Sequence, residues 1–302
     1  MRRTSLSELI DRHAGPDGAT DTAIEGLQLF RITHPVDRLP GVYPPSICCI
    51  VQGRKRAYLG GAGHVYDPDH YLCVTMPLPM EAEVLGATPQ EPVLGLMLSL
   101  ETRATAATLL EYEAAAGPIR AANAPSLATG LAVAAVDTPF ATALERLLTL
   151  LDDPVKLRLL GAGRLRELLL TVIEGDAGPL VRRTFGGSQD IARALTYLRD
   201  NLRAPVSVEE LAARAGMSKT VFHRRFKAIT TFSPLQFIKT LRLHDAAMLL
   251  MQGANVSQAA DRVGYASASQ FSREFRRQFG QAPRDWRKAT LGMAPDVQAT
   301  VV

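Results

Sequence analysis

Cysteine is scarce in this 302-residue chain: Cys48, Cys49 and Cys73 are its only three. An odd number with no Cys-x-x-Cys spacing disfavours both a disulfide framework and a thiolate zinc cluster, and it fits a reducing compartment. Long hydrophobic runs are also missing. No stretch of about 18 uninterrupted apolar residues occurs, and Met1-Arg2-Arg3-Thr4-Ser5 leads into a polar amphipathic segment rather than an apolar signal core. A cytoplasmic protein with no membrane partner is therefore expected. His64 and His70 stand six apart with no third ligand at a suggestive spacing, and there is no His-x-His, so neither a metal nor another cofactor is expected. Acidic residues are few in one region only. Residues 187–290 hold 17 Lys+Arg against 8 Asp+Glu, a balance of +9, while the remainder holds 17 against 22, or −5, which together give the net +4 of the whole chain. The C-terminal third thus carries the electrostatic footprint of a nucleic-acid binder.

What is present argues for folded structure. An apolar content of 47% over 302 residues suffices for two domains with their own cores. Ser5 before Leu6, Leu9 and Ile10 predicts a short helix to about His13, stopped by Gly15-Pro16-Asp17-Gly18. From Ile24 to about Leu100 the pattern shifts to short segments, among them Leu27–Ile32, Ser46–Val51, Tyr71–Val74 and Val93–Leu98, punctuated by Pro44-Pro45, Gly60-Gly61, Pro77 and Pro79. That pattern predicts an all-β barrel or sandwich. After Glu101 the period becomes helical. Phe140, Leu144, Leu147, Leu148 and Leu151 make one apolar stripe, and Leu157, Leu160, Leu165, Leu168, Leu169 and Val172 make a second, joined through Asp152-Asp153-Pro154. An antiparallel helix pair follows, either packed on its own β domain or serving a dimer. Arg182–Gly187 reads as a linker, Ile191, Leu195 and Leu198 as a helix closed by Pro205, and residues 291–302 as a frayed tail.

The last third contains a degenerate repeat. Val208-Glu209-Glu210-Leu211-Ala212-Ala213-Arg214-Ala215-Gly216 returns as Val256-Ser257-Gln258-Ala259-Ala260-Asp261-Arg262-Val263-Gly264, 48 residues on, and Phe222, Arg224, Phe226 return as Phe271, Arg273, Phe275, 49 residues on. Each copy reads as a helix, a turn at a glycine that tolerates positive φ, and a second helix. In the first copy Phe222, Phe226 and Ile229 share a buried face, leaving Thr220, His223, Arg224 and Lys227 along an exposed stripe at i, i+3, i+4, i+7. In the second, Phe271, Phe275 and Phe279 are buried and Ser269, Gln270, Ser272, Arg273 and Arg276 exposed. Such a helix suits a major groove: Arg224 and Arg273 match guanine O6 and N7, Gln270 and the serines can read other base edges, and Lys227 and Arg276 suit phosphates. Pro234 near the start and Gly253 past the end bracket a helix to about Met251 that holds the two units apart. Arg242 and Lys239 on it read as solubilising charges, with contact to the DNA backbone as the alternative.

Residues from about Ser188 to Lys288 resemble the DNA-binding domain of the AraC/XylS family of transcription regulators. The family's second unit reads Gly-Tyr-x-Ser-x-Ser-x-Phe-Ser-Arg-x-Phe-Lys/Arg-x-x-Phe-Gly-x-x-Pro. Here it is Gly264-Tyr265-Ala266-Ser267-Ala268-Ser269-Gln270-Phe271-Ser272-Arg273-Glu274-Phe275-Arg276-Arg277-Gln278-Phe279-Gly280-Gln281-Ala282-Pro283. The resemblance implies a seven-helix domain whose groove-facing positions are the stripe residues, double-stranded DNA as partner, and RNA polymerase as a second protein partner. Thr220 is small where some relatives carry a large contacting side chain. Tyr43–Lys55, Tyr66–Leu72 and Met76–Met80 resemble the N-terminal domain of one subgroup of that family, which implies a cupin-like β barrel that binds a small-molecule effector or mediates homodimerisation.

The expected fold is therefore α+β and multidomain. A cupin-like effector domain spans residues 1–130 and a helical pair 131–180, with a linker over 181–187. An all-α DNA-binding domain with two helix-turn-helix units spans 188–290, followed by the tail. Cys48 and Cys49 are adjacent on a strand and so face opposite sides; either a core role or effector or redox sensing is open to them, the latter if Arg54-Lys55-Arg56 folds close. The leading function is a transcription regulator, not an enzyme, modulated by an effector. Two other readings stand beside it: a DNA-binding protein whose barrel only dimerises, and a cupin-type enzyme fused to a DNA-binding tail, which the missing metal ligands disfavour.

Overall fold

The computed structural model describes residues 5–100, 103–116, 129–185 and 190–290. The expected tail over 291–302 and the linker's end at Gly186-Gly187 lie outside them. Helix α1 (Leu6–His13) starts at a capping box in which Ser5 and Glu8 satisfy each other's backbone N–H, and it buries Leu9 and Ile10. Ten strands follow among the described residues: β1 (Gly18–Asp21), β2 (Leu27–Ile32), β3 (Val36–Tyr43), β4 (Ser46–Gln52), β5 (Lys55–Leu59), β6 (Ala62–Tyr66), β7 (His70–Val74), β8 (Leu78–Val84), β9 (Val93–Ser99) and β10 (Leu131–Ala135). They form two antiparallel sheets, ordered β1-β2-β9-β4-β7-β10 and β3-β8-β5-β6.

Alternation along β4 divides two cores. Cys48 and Ile50 belong to one apolar cluster, with Phe30, Leu72, Ala57, Leu59 and Tyr66 from both sheets. Ile47 and Cys49 belong to another, on the opposite face of the larger sheet, with Leu9, Cys73, Phe140 and Leu144. Both cysteines are buried, because helices cover the face to which Cys49 points.

The helical region begins with α2 (Arg103–Ala116), and α3 (Thr138–Leu148) and α4 (Pro154–Glu174) follow β10. Asp137 and Asp153 cap α3 and α4, each with proline in the first turn, and a 3-10 turn over Thr149–Asp152 reverses the chain. The predicted pair forms with one difference: Leu160 is 45% exposed, so it is not on the buried stripe. Two further differences concern the boundaries. β10 pairs with β7 from Leu131↔Val74 to Ala135↔His70, so the β domain continues past residue 130. Residues 181–185, expected in the linker, complete helix α5 (Gly178–Phe185), which is stabilised by burial of Leu180, Val181 and Thr184.

Seven helices are found among the described residues of the C-terminal third: α6 (Asp190–Asp200), α7 (Val208–Arg214), α8 (Lys219–Thr230), α9 (Pro234–Met251), α10 (Val256–Arg262), α11 (Ala268–Phe279) and α12 (Pro283–Thr290). Their core is aromatic and continuous: Phe222, Phe226 and Phe237 pack in series, as do Phe271, Phe275, Phe279 and Trp286, with ring centroids 4.6–6.0 Å apart. This core merges with the inter-sheet core of the β domain. α9 lies on β3 and β8, and its buried His244 places Nδ1 3.1 Å from both the Gly41 and the Met80 carbonyl. A second bridge runs from the Gly130 N–H to the Ile229 carbonyl at the end of α8, 2.8 Å.

Candidate nucleic-acid interface

Each helix-turn-helix is set by its glycine. Gly216 (φ 62°) follows α7 and Gly264 (φ 79°) follows α10, both in the left-handed region that disfavours a side chain. After each turn a serine side chain accepts a backbone N–H from the first turn of the following helix, Ser218 from Val221 of α8 and Ser267 from Gln270 of α11. The phenylalanine spacing then fixes the rotation of both helices. Phe222, Phe226, Phe271 and Phe275 are fully buried, whereas Ile229 and Phe279 are half-buried at the ends of their faces.

On the opposite faces Thr220, Arg224 and Lys227 of α8 are exposed, and His223 is half-buried beside them. On α11 Ser269, Gln270, Arg273 and Arg276 are exposed and Ser272 is half-buried. The arginines and the lysine of these stripes form no ion pair with a described residue. Four basic groups off the stripes do: Lys219 pairs with Glu209, Arg214 with Glu210, Arg203 with Asp261 and Lys239 with Glu274. Positive charge is therefore left uncompensated on the two stripes, as a polyanion would require. Gln270 is held back by one bond, from its Nε2 to Glu274 Oε1 at 3.1 Å. Glu274 also accepts from Tyr265 Oη at 2.9 Å and Lys239 Nζ at 3.4 Å, and these donors keep its carboxyl below the usual range despite partial burial.

Arg242 and Lys239 are braces rather than solubilising charges. Arg242 donates from Nε to the Leu202 carbonyl (3.0 Å) and from Nη2 to that of Ala204 (2.8 Å), pinning the loop between α6 and α7. Helical periodicity alone carries no signal for this, since the acceptors are backbone atoms 38 and 40 residues away.

The β domain contains a second polar feature. Lys55 opens β5 on the same face as Ala57 and Leu59 and is 1% exposed, with Nζ 4.8 Å from the Phe30 ring centroid and 6.0 Å from that of Tyr66. Burial depresses its ammonium pKa, opposed by the nearby Cys48 thiol. Burial also raises the pKa of Cys48 and, further, that of Cys49, and lifts Cys73 to about 12, so all three thiols are held protonated. Of the basic run at 54–56 only Lys55 turns toward Cys48; Arg56 pairs with Glu83 at 2.8 Å on the other face. The sequence signal was available: in Lys-Arg-Ala-Tyr-Leu, Lys55 shares a period-2 face with two apolar residues. Among the described residues no three His, Cys, Asp or Glu side chains lie together in a way that could hold a metal ion. His70 bonds Asp67 at 3.1 Å and His64 is half-buried on β6.

The profile of the AraC-type transcriptional regulator N-terminus matches residues 23–180, more than half of the chain, and that of a helix-turn-helix domain matches residues 211–289. The chain belongs to the AraC-type transcriptional regulators. Among curated relatives of this AraC-type chain, the MmsAB operon regulatory protein of Pseudomonas aeruginosa is 36% identical over 131 residues, covering 43% of this chain and 41% of that protein. The regulator AlkR of Acinetobacter baylyi is 35% identical over 100 residues, covering 33% of each. The chain thus spans about a third to two-fifths of the length of these relatives. ToxT of Vibrio cholerae, solved with an unsaturated fatty acid bound, superposes with a TM-score of 0.57 over 89% of this chain and 96% of its own, at 11% identity. At that identity the likeness is one of fold.

Proposed function

We propose that this AraC-type chain is a sequence-specific transcription regulator that binds double-stranded DNA through α8 and α11 in successive major grooves. The observation that carries this reading is the pair of exposed stripes, one on each second helix of the repeat, whose cations form no ion pair with a described residue. The 18 residues of α9 give a spacer of about 27 Å, compatible with grooves about 34 Å apart on one face of the duplex. In this reading Arg224 and Arg273 read bases with Gln270, Thr220, His223, Ser269 and Ser272, while Lys227 and Arg276 contact phosphate. The stripes differ, so one chain reads an asymmetric two-box site.

The same reading assigns effector sensing, not catalysis, to the β domain and its helical pair, and DNA binding to residues 188–290 of a cytoplasmic protein that works with RNA polymerase. The joint through His244 and Ile229 supports it, because α8 ends at the Gly130 N–H and α9, which joins the two recognition helices, lies on β3 and β8. Homodimerisation is assigned to α4, where Val155, Leu159 and Leu160 are 56%, 78% and 45% exposed, with Leu110 at 67% on α2, the helix that packs against it.

Selecting DNA from a random pool with the full chain, then measuring Arg273→Ala on the selected site, tests this. The variant should lose about 1–3 kcal/mol, roughly 5- to 150-fold, and relax preference at one base position. An equal loss on unrelated DNA would reduce Arg273 to a phosphate contact, and failure to enrich any sequence would refute specific binding.

A further inference from the structure

The second recognition helix carries a carboxylate where a polyanion is to be met. Glu274 directly follows Arg273 on α11, but its side chain is only 13% exposed and three donors close on it. Its Oε2 accepts from Tyr265 Oη, in the turn before α11, at 2.9 Å. Its Oε1 accepts from Lys239 Nζ of α9 at 3.4 Å and from Gln270 Nε2, one helical turn back, at 3.1 Å. Lys239 matches its charge, so the group turns little net charge toward DNA.

The packing of such a helix does not require this arrangement. By the 49-residue offset of the repeat, Gln270 and Glu274 correspond to Val221 and Arg225. α8 contains no acidic residue, and it takes its rotation from the buried Phe222 and Phe226 alone. We propose that Glu274 is a positioning residue that sets Gln270 to read an adenine.

The chemistry of the pair selects the base. A carboxylate only accepts hydrogen bonds, so the Gln270 carboxamide must turn its NH2 end to Glu274; the reverse orientation would set oxygen against oxygen. Oε1 and the second N–H of Gln270 form no hydrogen bond with a described residue, and Gln270 is exposed on the same stripe as Arg273. In a major groove that oxygen needs a donor, which adenine N6 and cytosine N4 supply and guanine and thymine do not. The remaining N–H finds an acceptor in adenine N7, for which cytosine has no equivalent. An untethered glutamine could present either end of its amide and accept guanine or thymine as well. The tether also removes rotamer freedom that binding would otherwise have to freeze. The inference rests on the reading above in which Gln270 faces base edges, and it assigns that residue one base and one partner.

The test measures the full chain and its Gln270→Ala, Glu274→Ala, Glu274→Gln and double alanine variants on DNA selected from the random pool, with every single base-pair change across the selected site. At one position the parent should prefer adenine, by about tenfold over guanine, and Gln270→Ala should erase that preference. Glu274→Ala should cut it to about threefold or less and leave the preferences at other positions intact. In the Gln270→Ala background the same change should move no base preference. Glu274→Gln keeps the side-chain volume and answers for an alanine variant that fails to fold; its amide can accept from Gln270 but can also turn, so an intermediate preference is expected. Equal weakening of preference at all positions by Glu274→Ala would make the carboxylate an anchor of α11 and overturn the proposal. So would an adenine preference untouched by either Glu274 variant, or a Gln270-dependent base other than adenine. A selected site with no Gln270-dependent position would overturn the proposal and leave the DNA-binding reading intact, whereas a pool from which nothing is enriched would refute both.

Discussion

Gly216 and Gly264 occupy equivalent turns, yet alanine should cost far more at the second. Both have positive φ, a conformation that costs an L-residue about 1–2 kcal/mol. Against that, replacing glycine restricts the unfolded chain and returns about 0.4–1 kcal/mol. At Gly216 a new Cβ meets nothing within 4 Å, so the net loss should be about 1.5 kcal/mol or less. At Gly264 the same atom would stand 2.5 Å from the Arg203 carbonyl oxygen, 3.0 Å from its carbon and 3.1 Å from the Leu202 oxygen. Those are backbone atoms of a loop that cannot easily retreat, because Arg242 holds the Leu202 and Ala204 carbonyls and Arg203 pairs with Asp261 at 2.9 Å. Overpacking of this kind adds about 1–3 kcal/mol. Urea denaturation of Gly216→Ala and Gly264→Ala, followed by circular dichroism, measures the difference directly. Equal losses, within about 0.5 kcal/mol, would refute the assignment of Gly264 to close backbone approach.

Three further outcomes are expected. Burial depresses the pKa of His244, so its neutral form is favoured in the fold; the stability it contributes is present above the unfolded value of about 6.5 and is lost as pH falls through the folded pKa. Stability measured from pH 7.5 to 5 should fall less steeply in His244→Gln than in the parent, and parallel curves would exclude the histidine. Arg242→Met strips two carbonyls of their donor and should cost about 1–3 kcal/mol in chemical denaturation, with Arg242→Lys recovering only part because an ammonium lacks the fork; full recovery by lysine would show that charge alone matters. The proposed dimer through α4 predicts that Leu159→Glu sediments as a monomer where the parent sediments as a dimer in analytical ultracentrifugation, with no lower melting midpoint, and a parent that is monomeric or a variant with an unchanged sedimentation coefficient would refute that assignment.

The periodic parts of the molecule were legible in the sequence. The phenylalanine spacing of α8 and α11 set their rotation, the punctuated short runs announced an all-β domain, and Pro234 with Gly253 bounded α9. What escaped was tertiary. β10 is five residues, Leu-Ala-Val-Ala-Ala, whose small side chains suit a helix as well as a strand, and pairing with β7 decides between them. α5 owes its helix to burial of one face, which no local signal overrules glycine and proline to announce. Among the interface residues, exposure of Arg224 and Arg273 followed from periodicity, but the tether of Gln270 to Glu274 did not. Lys55 was visible as part of a basic run, and only strand phase distinguishes it from Arg54 and Arg56. His244 looked like any polar residue on a long helix until the β domain supplied its acceptors.

Those acceptors have an evolutionary consequence. His244 grips the carbonyls of Gly41 and Met80, atoms that every amino acid carries. At this contact the β side can therefore drift in sequence while strands β3 and β8 keep their positions, whereas the helical side of the same contact depends on one imidazole; only the side chains of the merged core tie the β strands to particular residues.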